Sequence, residues 1–323
     1  MPTLFFTVCS LRQYPQALAL GESLRRHHPD CSFFIGLADQ PERLPDGVPR
    51  PFPVIGAEVL QIPDFHKFTE KYTWLEVLHA LRPQFARYFL VQHPESDRLA
   101  FLGPESWVLA PLTDWLDTLD AHASSLLPQR LGPPRDEHWP AERHFLNVGV
   151  YQGEAWALRR SQAAERFLEW WSARTVEKGW LRLCEGYGLD QLWLNLVPVF
   201  FEASHTWLHP GYGVGYANAD ERPLQEVAGR WLTGDVPVSL VTWTGLDRQR
   251  LRWEPHRTDR ALSAAWRRLA ARYVREISPF VGVEPAFGRD FSPPRTPRSR
   301  YRFIRPLRRL MAWVERVPLP FLR

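Results

Sequence analysis

The stretch TLFFTVCSLRQYPQALALGESLRRHHPDCSFFIGLAD, residues 3–39, decides the fold class of this chain. It opens with a short apolar run of β-forming residues (3–9), continues with alanine and leucine at helical spacing (15–28), and closes with a second apolar run (32–39). A strand, a helix and a second strand in succession favour a parallel pair of strands. Ligands of such sheets bind at the carboxyl ends of the strands, which lie near residues 7–10 and near Asp39.

Composition excludes a largely disordered protein. Hydrophobic residues make up 45 % of the 323-residue chain and aromatic residues 13 %, which is enough to bury a sizeable core. The 15 tryptophans are consistent with either core packing or stacking on sugar rings. We predict one large α/β domain over residues 1–255, a helical extension over 256–288 and a basic amphipathic tail over 289–323.

Charge and cysteine usage limit the compartment and the partners. The net charge is +4, and nearly all the basic residues are arginine, whose planar guanidinium suits phosphate as well as solvent. Three widely spaced cysteines, Cys9, Cys31 and Cys184, form neither a disulfide framework nor a zinc site. The N-terminal sequence MPTLFFTVCS is not typical of a signal peptide, and no apolar run approaches the ~20 residues of a spanning helix. These features predict a cytoplasmic protein.

Further elements follow from apolar spacing and from proline and glycine. We predict a helix over 68–81 that stops at Arg82-Pro83, and a strand over 99–102 that turns at residues 103–106 and resumes, with a ligand near the turn. We also predict a flexible loop (128–144), a strand (145–152), a helix (about 154–175), a second helix from about 188, a last strand (237–243) and a helix (258–277).

Several short motifs occur in a fixed order along these elements. They are Lys71-Tyr72 with Glu76 and Ala80-Leu81-Arg82-Pro83; Phe145-Leu146-Asn147-Val148-Gly149; Trp170-Trp171; Asp190-Gln191; and His209-Pro210-Gly211-Tyr212 with Tyr216, Asn218 and Arg222. In this order they resemble bacterial GT-A glycosyltransferases of the family-8-like kind, over about residues 3–255. The resemblance implies a GT-A (Rossmann-like) mixed, mainly parallel sheet flanked by helices, with a C-terminal helical tail.

The resemblance also implies a site. The residues that it places at a nucleotide sugar are Thr7, Cys9, Ser10, Asp39, Lys71, Tyr72, Arg82, Gly103, Asn147, Gly149, Tyr212, Asn218 and Arg222. For a transfer with retention of configuration, which needs a carboxylate or amide near the anomeric carbon, the catalytic candidates are Asp190, Gln191 and Glu105, while the sequence leaves both retention and inversion open.

Each match has a plainer interpretation. Tyr72 and Glu76 share a helix face at i, i+4 in any helix. Asp190 is favoured at a helix N-terminus by the macrodipole alone. The glycine-rich loop around Gly213, which stands where the resembled enzymes have asparagine, is equally typical of an ordinary turn.

The departures from the family pattern concern the metal. The resembled enzymes hold Mn²⁺ or Mg²⁺ with a Leu-Asp-Xaa-Asp turn and a late histidine. Here the turn is Leu102-Gly103-Pro104-Glu105, and Thr242 stands in place of the histidine. We therefore predict no metal cofactor, with Lys71, Arg82 and Arg222 as candidates to stabilise the leaving diphosphate.

Two functions remain open at this stage. The first is a metal-independent transferase that moves a sugar from a nucleotide sugar to a glycan or lipid-linked acceptor. The second is a catalytically inactive relative that binds sugar or serves as an assembly scaffold. The ten arginines of residues 289–323 are consistent with binding to the anionic inner face of the plasma membrane, or with a last helix packed on the domain. No nucleic-acid-binding module accompanies them, so nucleic acid is not a predicted partner.

Overall fold

The computed structural model of the protein describes residues 2–134, 141–253 and 262–280. Its α-helices are α1 (Tyr14–His27), α2 (Phe65–Lys71), α3 (Trp74–Gln92), α4 (Thr113–Asp117), α5 (Glu142–Val148), α6 (Gln162–Lys178), α7 (Val197–Phe200) and α8 (Ala264–Ile277). The strands that build the main sheet are β1 (Thr3–Cys9), β2 (Ser32–Leu37), β3 (Val54–Gly56), β4 (Arg98–Leu102), β6 (Ser124–Pro128), β7 (Tyr151–Arg159) and β10 (Ser204–Thr206).

The remaining strands are short and form hairpins or a small separate sheet. They are β5 (Ser106–Val108), β8 (Leu181–Arg182), β9 (Tyr187–Gly188), β11 (Leu224–Val227), β12 (Arg230–Thr233), β13 (Val236–Pro237), β14 (Leu240–Thr242), β15 (Leu246–Asp247) and β16 (Arg252–Trp253).

The main sheet is mixed and mainly parallel, as the sequence predicts. Its seven strands lie in the order β10-β6-β7-β4-β1-β2-β3. Strand β1 pairs in parallel with both β2 and β4, β2 with β3, and β6 with β10, whereas β7 runs antiparallel to β4 and β6. The carboxyl ends of the parallel strands and the start of β7 therefore meet at one edge of the sheet. This architecture is that of a GT-A, Rossmann-like fold.

Both faces of the sheet are covered, which explains the continuous apolar sequence of β1. Successive side chains of a strand point to opposite faces. Phe6 and Val8 accordingly pack with α3 and α6 on one face, and Phe5 and Cys9 with α1 and α4 on the other. A third cluster joins α8 to the region around β14 through the rings of Trp243, Trp253, Trp266 and Tyr273.

The predicted strand over 145–152 is wrong, and the helix predicted over about 154–175 is present but begins later than predicted. Residues 142–148 form α5, which ends at Gly149, whose φ of 104° few side chains tolerate. Strand β7 then begins at Tyr151, which pairs with Pro128 of β6, and it pairs with β4 from Ala155 onward. Helix α6 starts only after Ser161, whose side chain accepts a hydrogen bond from the Ala164 N–H.

The predicted helix end at Arg82-Pro83 is also wrong. The chain breaks earlier, at Tyr72-Thr73, where Thr73 and Glu76 form a capping box that starts α3. Pro83 lies inside this 19-residue helix. A proline there costs about 3 kcal/mol, and the burial of one whole face of α3 against the sheet and α6 outweighs that cost.

Other predicted elements are confirmed in part: the last strand is present as β14, whereas the helix predicted from about 188 is a 3₁₀-helical segment over Gln191–Leu196 followed by the short α7. The strand, turn and strand over 98–108 are present, as is the helix that we predict over 258–277, although it begins at Ala264. Residues 135–140 of the predicted loop, residues 254–261 and the tail 289–323 lie outside the described residues. None of the helices in the described part of the chain is both long and apolar enough to cross a lipid bilayer.

Candidate functional site

The carboxyl edge of the sheet carries a buried network of charged side chains. Asp190, which follows β9, has no solvent exposure. His79 Nδ1 lies 2.6 Å from Asp190 Oδ1, and Arg82 Nη1 donates to Asp190 Oδ2 at 3.3 Å. The same guanidinium donates through Nη2 to Glu154 Oε1 at 2.8 Å. His79 and Arg82 are one turn apart on α3, so one helix face supplies both partners of Asp190.

This network lies in a rigid frame. The Asp190 carbonyl accepts a hydrogen bond from Trp171 Nε1 at 3.0 Å, which ties the loop to α6. Arg82 Nη1 also donates to the Gly153 carbonyl at 3.2 Å, and its guanidinium lies 5.1 Å from the centre of the Phe101 ring. The network therefore connects two helices with two adjacent strands of the sheet.

Electrostatics favour the ionised forms of Asp190 and Arg82. Burial acts to raise the pKa of Asp190, but the attraction and hydrogen bonds of Arg82 and His79 outweigh it, so the pKa lies below its ordinary value. Burial likewise acts to lower the pKa of Arg82, and Glu154 and Asp190 reverse the effect, so that pKa is raised. Each charge therefore depends on its partners remaining in place.

Gln191 links the start of β7 to the end of α5. Its Oε1 accepts from the Gly153 N–H at 3.0 Å, and its Nε2 donates to the Val148 carbonyl at 3.0 Å. Gly149, at the C-cap of α5, is buried, and its carbonyl accepts from Gln129, whereas Asn147 is exposed on α5. Both ends of the Gln191 amide are therefore bonded to backbone.

The residues that follow β1 and those that follow β2 are joined to each other by a hydrogen bond. Thr7 and Cys9 are fully buried within the strand, and burial raises the pKa of the Cys9 thiol well above its ordinary value. Asp39 Oδ2 accepts from the Leu11 N–H at 2.9 Å, which holds the turn after β1 against the end of β2. The Ser10 N–H and hydroxyl both donate to Gln13 Oε1 at 3.3 Å.

Lys71 and Tyr72 lie at a different place from this network. Lys71 Nζ donates to the carbonyls of Glu177 and Val176 at the end of α6 and lies 4.6 Å from the Trp180 ring. The Tyr72 hydroxyl donates to the Val176 carbonyl at 2.7 Å and accepts from the Gly179 N–H at 3.1 Å. Both side chains thus join α2 to the end of α6.

The glycine-rich loop after β10 is stabilised by hydrogen bonds and an ion pair made by its own side chains. Asn218 accepts from the Gly215 N–H and donates to the carbonyls of Gln129 and Gly213. Arg222 is buried, donates to the Tyr212 carbonyl at 2.6 Å and forms an ion pair with Glu221 at 3.3 Å. Burial lowers the pKa of Arg222 to about 10, and burial raises that of Tyr212 to about 12. These three predicted site residues therefore stabilise the loop itself.

The residues at the implied metal positions do not fit a divalent cation. Glu105 lies beside α8, where its charge adds to the effect of burial in raising the pKa of Tyr273. The Thr242 hydroxyl lies 3.2 Å from that of Thr244. Within the described ranges, no three His, Cys, Asp or Glu side chains are grouped so that they could hold a metal ion.

The structure thus brings some predicted residues together and leaves others apart. Asp190 and Arg82 meet in one network, with Gln191 and Gly103 adjacent through Gly153 and Glu154. Two members of the network, His79 and Glu154, are absent from the residues predicted from the sequence. His79 lies one turn before Arg82 on the same helix face, which is a local signal for it, whereas an isolated charge before the apolar run AWAL does not by itself assign a role to Glu154.

Similarity to known proteins is confined to structure. No family model matches the sequence, and no curated protein matches it. The fold is similar to the galactosyltransferase LgtC in complex with donor and acceptor sugar analogues, with a TM-score of 0.52 and 12 % identity over 86 % of this chain and 96 % of that one. At this identity the likeness establishes the GT-A-type fold.

Two further solved structures are similar with lower scores. An active-site mutant of LgtC matches with a TM-score of 0.49 and 12 % identity, over 89 % of this chain and 98 % of that chain. The apo form of the glycosyltransferase GlyE from Streptococcus pneumoniae matches with a TM-score of 0.48 and 12 % identity, over 88 % of this chain and 65 % of that one.

Proposed function

We propose that this chain transfers a sugar from a nucleotide-diphosphate sugar to a glycan or glycoconjugate acceptor without a divalent metal. The observation that carries the proposal is the buried Asp190–Arg82–Glu154 network at the carboxyl edge of a GT-A-type sheet. Ligands of open α/β sheets bind at this edge, and desolvated charges with shifted pKa values are concentrated at functional sites.

Asp190 and Gln191 act in this proposal by positioning other groups. Asp190 has no exposed surface, and its two oxygens are occupied by His79 and Arg82. Glu154 and His79 are the members of the network with appreciable exposure, at 17 % and 13 % of their side chains, and only Glu154 of these two carries a carboxylate. We therefore assign to Glu154 the contact with a bound sugar, whose hydroxyl groups would donate hydrogen bonds to the carboxylate.

The metal-independent part of the proposal rests on the residues at the implied metal positions. Gly103 and Thr242 carry no carboxylate or imidazole, which leaves Glu105, beside α8, as the one carboxylate of the implied set. The carboxylate of Glu154, beside Gly103, is paired with Arg82. In the transfer, the bond between the anomeric carbon and the diphosphate oxygen breaks with its electron pair left on the diphosphate, a bond to an acceptor hydroxyl oxygen forms, and the proton of that hydroxyl passes to the departing diphosphate. The charge left on the diphosphate has to be stabilised by fixed donors.

One observation favours the second candidate, a sugar-binding or scaffold protein without transfer activity. Each of the three cations that we assign to the diphosphate already has a partner within the chain. Lys71 donates to carbonyls at the end of α6, and Arg82 pairs with two carboxylates. Arg222 donates to the Tyr212 carbonyl and pairs with Glu221. A site that binds the sugar alone has no need to release any of them.

Donor binding separates the metal-dependent and metal-independent alternatives. We expect a nucleotide-diphosphate sugar from a panel to raise the melting temperature, and to raise it equally with and without a chelator, because no metal takes part. At a donor concentration of 100 times Kd the stabilisation should be about 2.7 kcal/mol. A shift that appears only with added Mn²⁺ would refute metal independence, and the free sugars and nucleotides serve as controls.

The acceptor and the location are proposals that follow from this function. A lipid-linked acceptor at the cytoplasmic face of the plasma membrane would suit the basic sequence of residues 289–323, because clustered arginines are attracted to anionic lipid. These residues lie outside the described part of the chain, so membrane contact remains a prediction from the sequence.

A further inference from the structure

Gly103, at the end of β4, is a glycine whose backbone conformation other residues could also adopt. Gly103 follows the last residue of β4, and its N–H donates to the Glu154 carbonyl at 2.7 Å. Gly103 is not among the glycines with a positive φ, so the backbone conformation does not require glycine. The reason for a glycine must lie in what surrounds it.

The surrounding group is the carboxylate of Glu154. A Cβ atom on residue 103 would overlap Glu154 Oε2 and lie 3.0 Å from Glu154 Cδ and 3.3 Å from its Cβ. The two oxygens therefore have different environments. Oε2 fills the space beside Gly103, while Oε1 accepts from Arg82 Nη2 at 2.8 Å.

Glu154 is held in this position by its partners. A glutamate that was free to rotate would give way to a small side chain at residue 103. Arg82 fixes Oε1, and Asp190 and the Gly153 carbonyl in turn fix Arg82. Moving Glu154 away would leave a buried guanidinium with one carboxylate partner fewer.

We propose that Glu154 supplies, from β7, the carboxylate missing at residue 103 of β4, and that Arg82 is its fixed cationic partner. This deepens the proposed metal-independent function. At the position where the resemblance implies a carboxylate that binds a metal, this chain has a carboxylate already neutralised by a guanidinium. Glycine at position 103 and glutamate at position 154 therefore depend on each other, because the Glu154 carboxylate fills the space that a side chain on residue 103 would need.

The test moves the carboxylate back to β4 in the full-length chain. We expect Gly103→Asp and Glu154→Ala each to lower the melting temperature by about 4 °C or more, the first by overlap and the second by removing a partner of Arg82. The double variant G103D/E154A should melt higher than either single variant, because the new carboxylate enters the vacated space and can pair with Arg82.

The matched control is G103N/E154A, which has the same shape without the charge and should not melt above Glu154→Ala. A double G103D/E154A variant that melts at or below Glu154→Ala overturns the proposal, and this comparison stands even if Gly103→Asp alone does not fold. The readout needs no donor and no turnover, so a failure here is distinguishable from a failure of the proposed transferase activity.

Discussion

Replacing Arg82 by methionine is expected to lower the free energy of unfolding by about 4 kcal/mol, because removing one partner of a buried ion pair leaves the other charge uncompensated. Arg82 is nearly inaccessible and joins the carboxylates of Asp190 and Glu154. Asp190, with no exposed surface, would keep only His79 as a partner for its carboxylate. Chemical denaturation at neutral pH measures the loss.

A matched control and a double variant make this result specific. Arg25→Met removes an exposed arginine that is paired with Glu22 and should change stability by less than about 1 kcal/mol. The double variant R82M/D190N should cost less than the sum of its single substitutions, since neither member leaves the other charged and alone. Strictly additive losses would show that the two side chains do not depend on each other.

Replacing Asp190 by asparagine has the second largest expected effect, a loss of about 3 kcal/mol at neutral pH. The substitution keeps the size of the side chain but removes the charge that faces both His79 and Arg82. Glu154 still faces the guanidinium, so the loss should be smaller than in Arg82→Met. Asp64→Asn, at an exposed aspartate paired with Lys67, is the matched control and should be nearly neutral.

The pH dependence of the Asp190→Asn effect identifies its cause. Since the folded-state pKa of Asp190 is lowered, its stabilisation is present above the unfolded-state pKa of about 4 and is lost as pH falls through the folded-state value. The difference in stability between the wild type and Asp190→Asn should therefore narrow below about pH 4. A difference that stays constant down to pH 3, about one unit below that value, would point to lost packing instead of lost charge.

The parts of the fold that follow from the sequence are those where local pattern and tertiary environment agree. The sequence of segment 3–39 predicts strand, helix and strand correctly, because strands buried on both faces have continuous apolar sequences and α1 has an apolar face of its own. At Pro83 and over residues 145–152, the local sequence pattern and the tertiary environment disagree. Packing along α3 overrides the proline, and pairing with β6 at Pro128 accompanies the start of β7 at Tyr151, so neither boundary is encoded locally.

The candidate site shows the same division. Asp190 and Arg82 could be predicted because they lie in motifs with a recognisable order, and their proximity is what the structure adds. Glu154 could not be assigned, because its role depends on a space beside Gly103 that exists only once β4 and β7 are paired. Lys71 and Arg222 fit the motif order, yet their charged groups contact other parts of the chain. The spacing of the motifs does not reveal these contacts.

Turnover distinguishes a metal-independent transferase from a sugar-binding scaffold. The full-length protein is incubated with each nucleotide-diphosphate sugar, a mixture of glycan acceptors and an excess of chelator, and release of the nucleoside diphosphate is followed. We expect release from at least one donor, undiminished by the chelator, and its loss in Arg82→Met and Asp190→Asn under conditions where both remain folded. Binding of a sugar without release from any donor, with or without Mn²⁺, would contradict a transferase and support the scaffold.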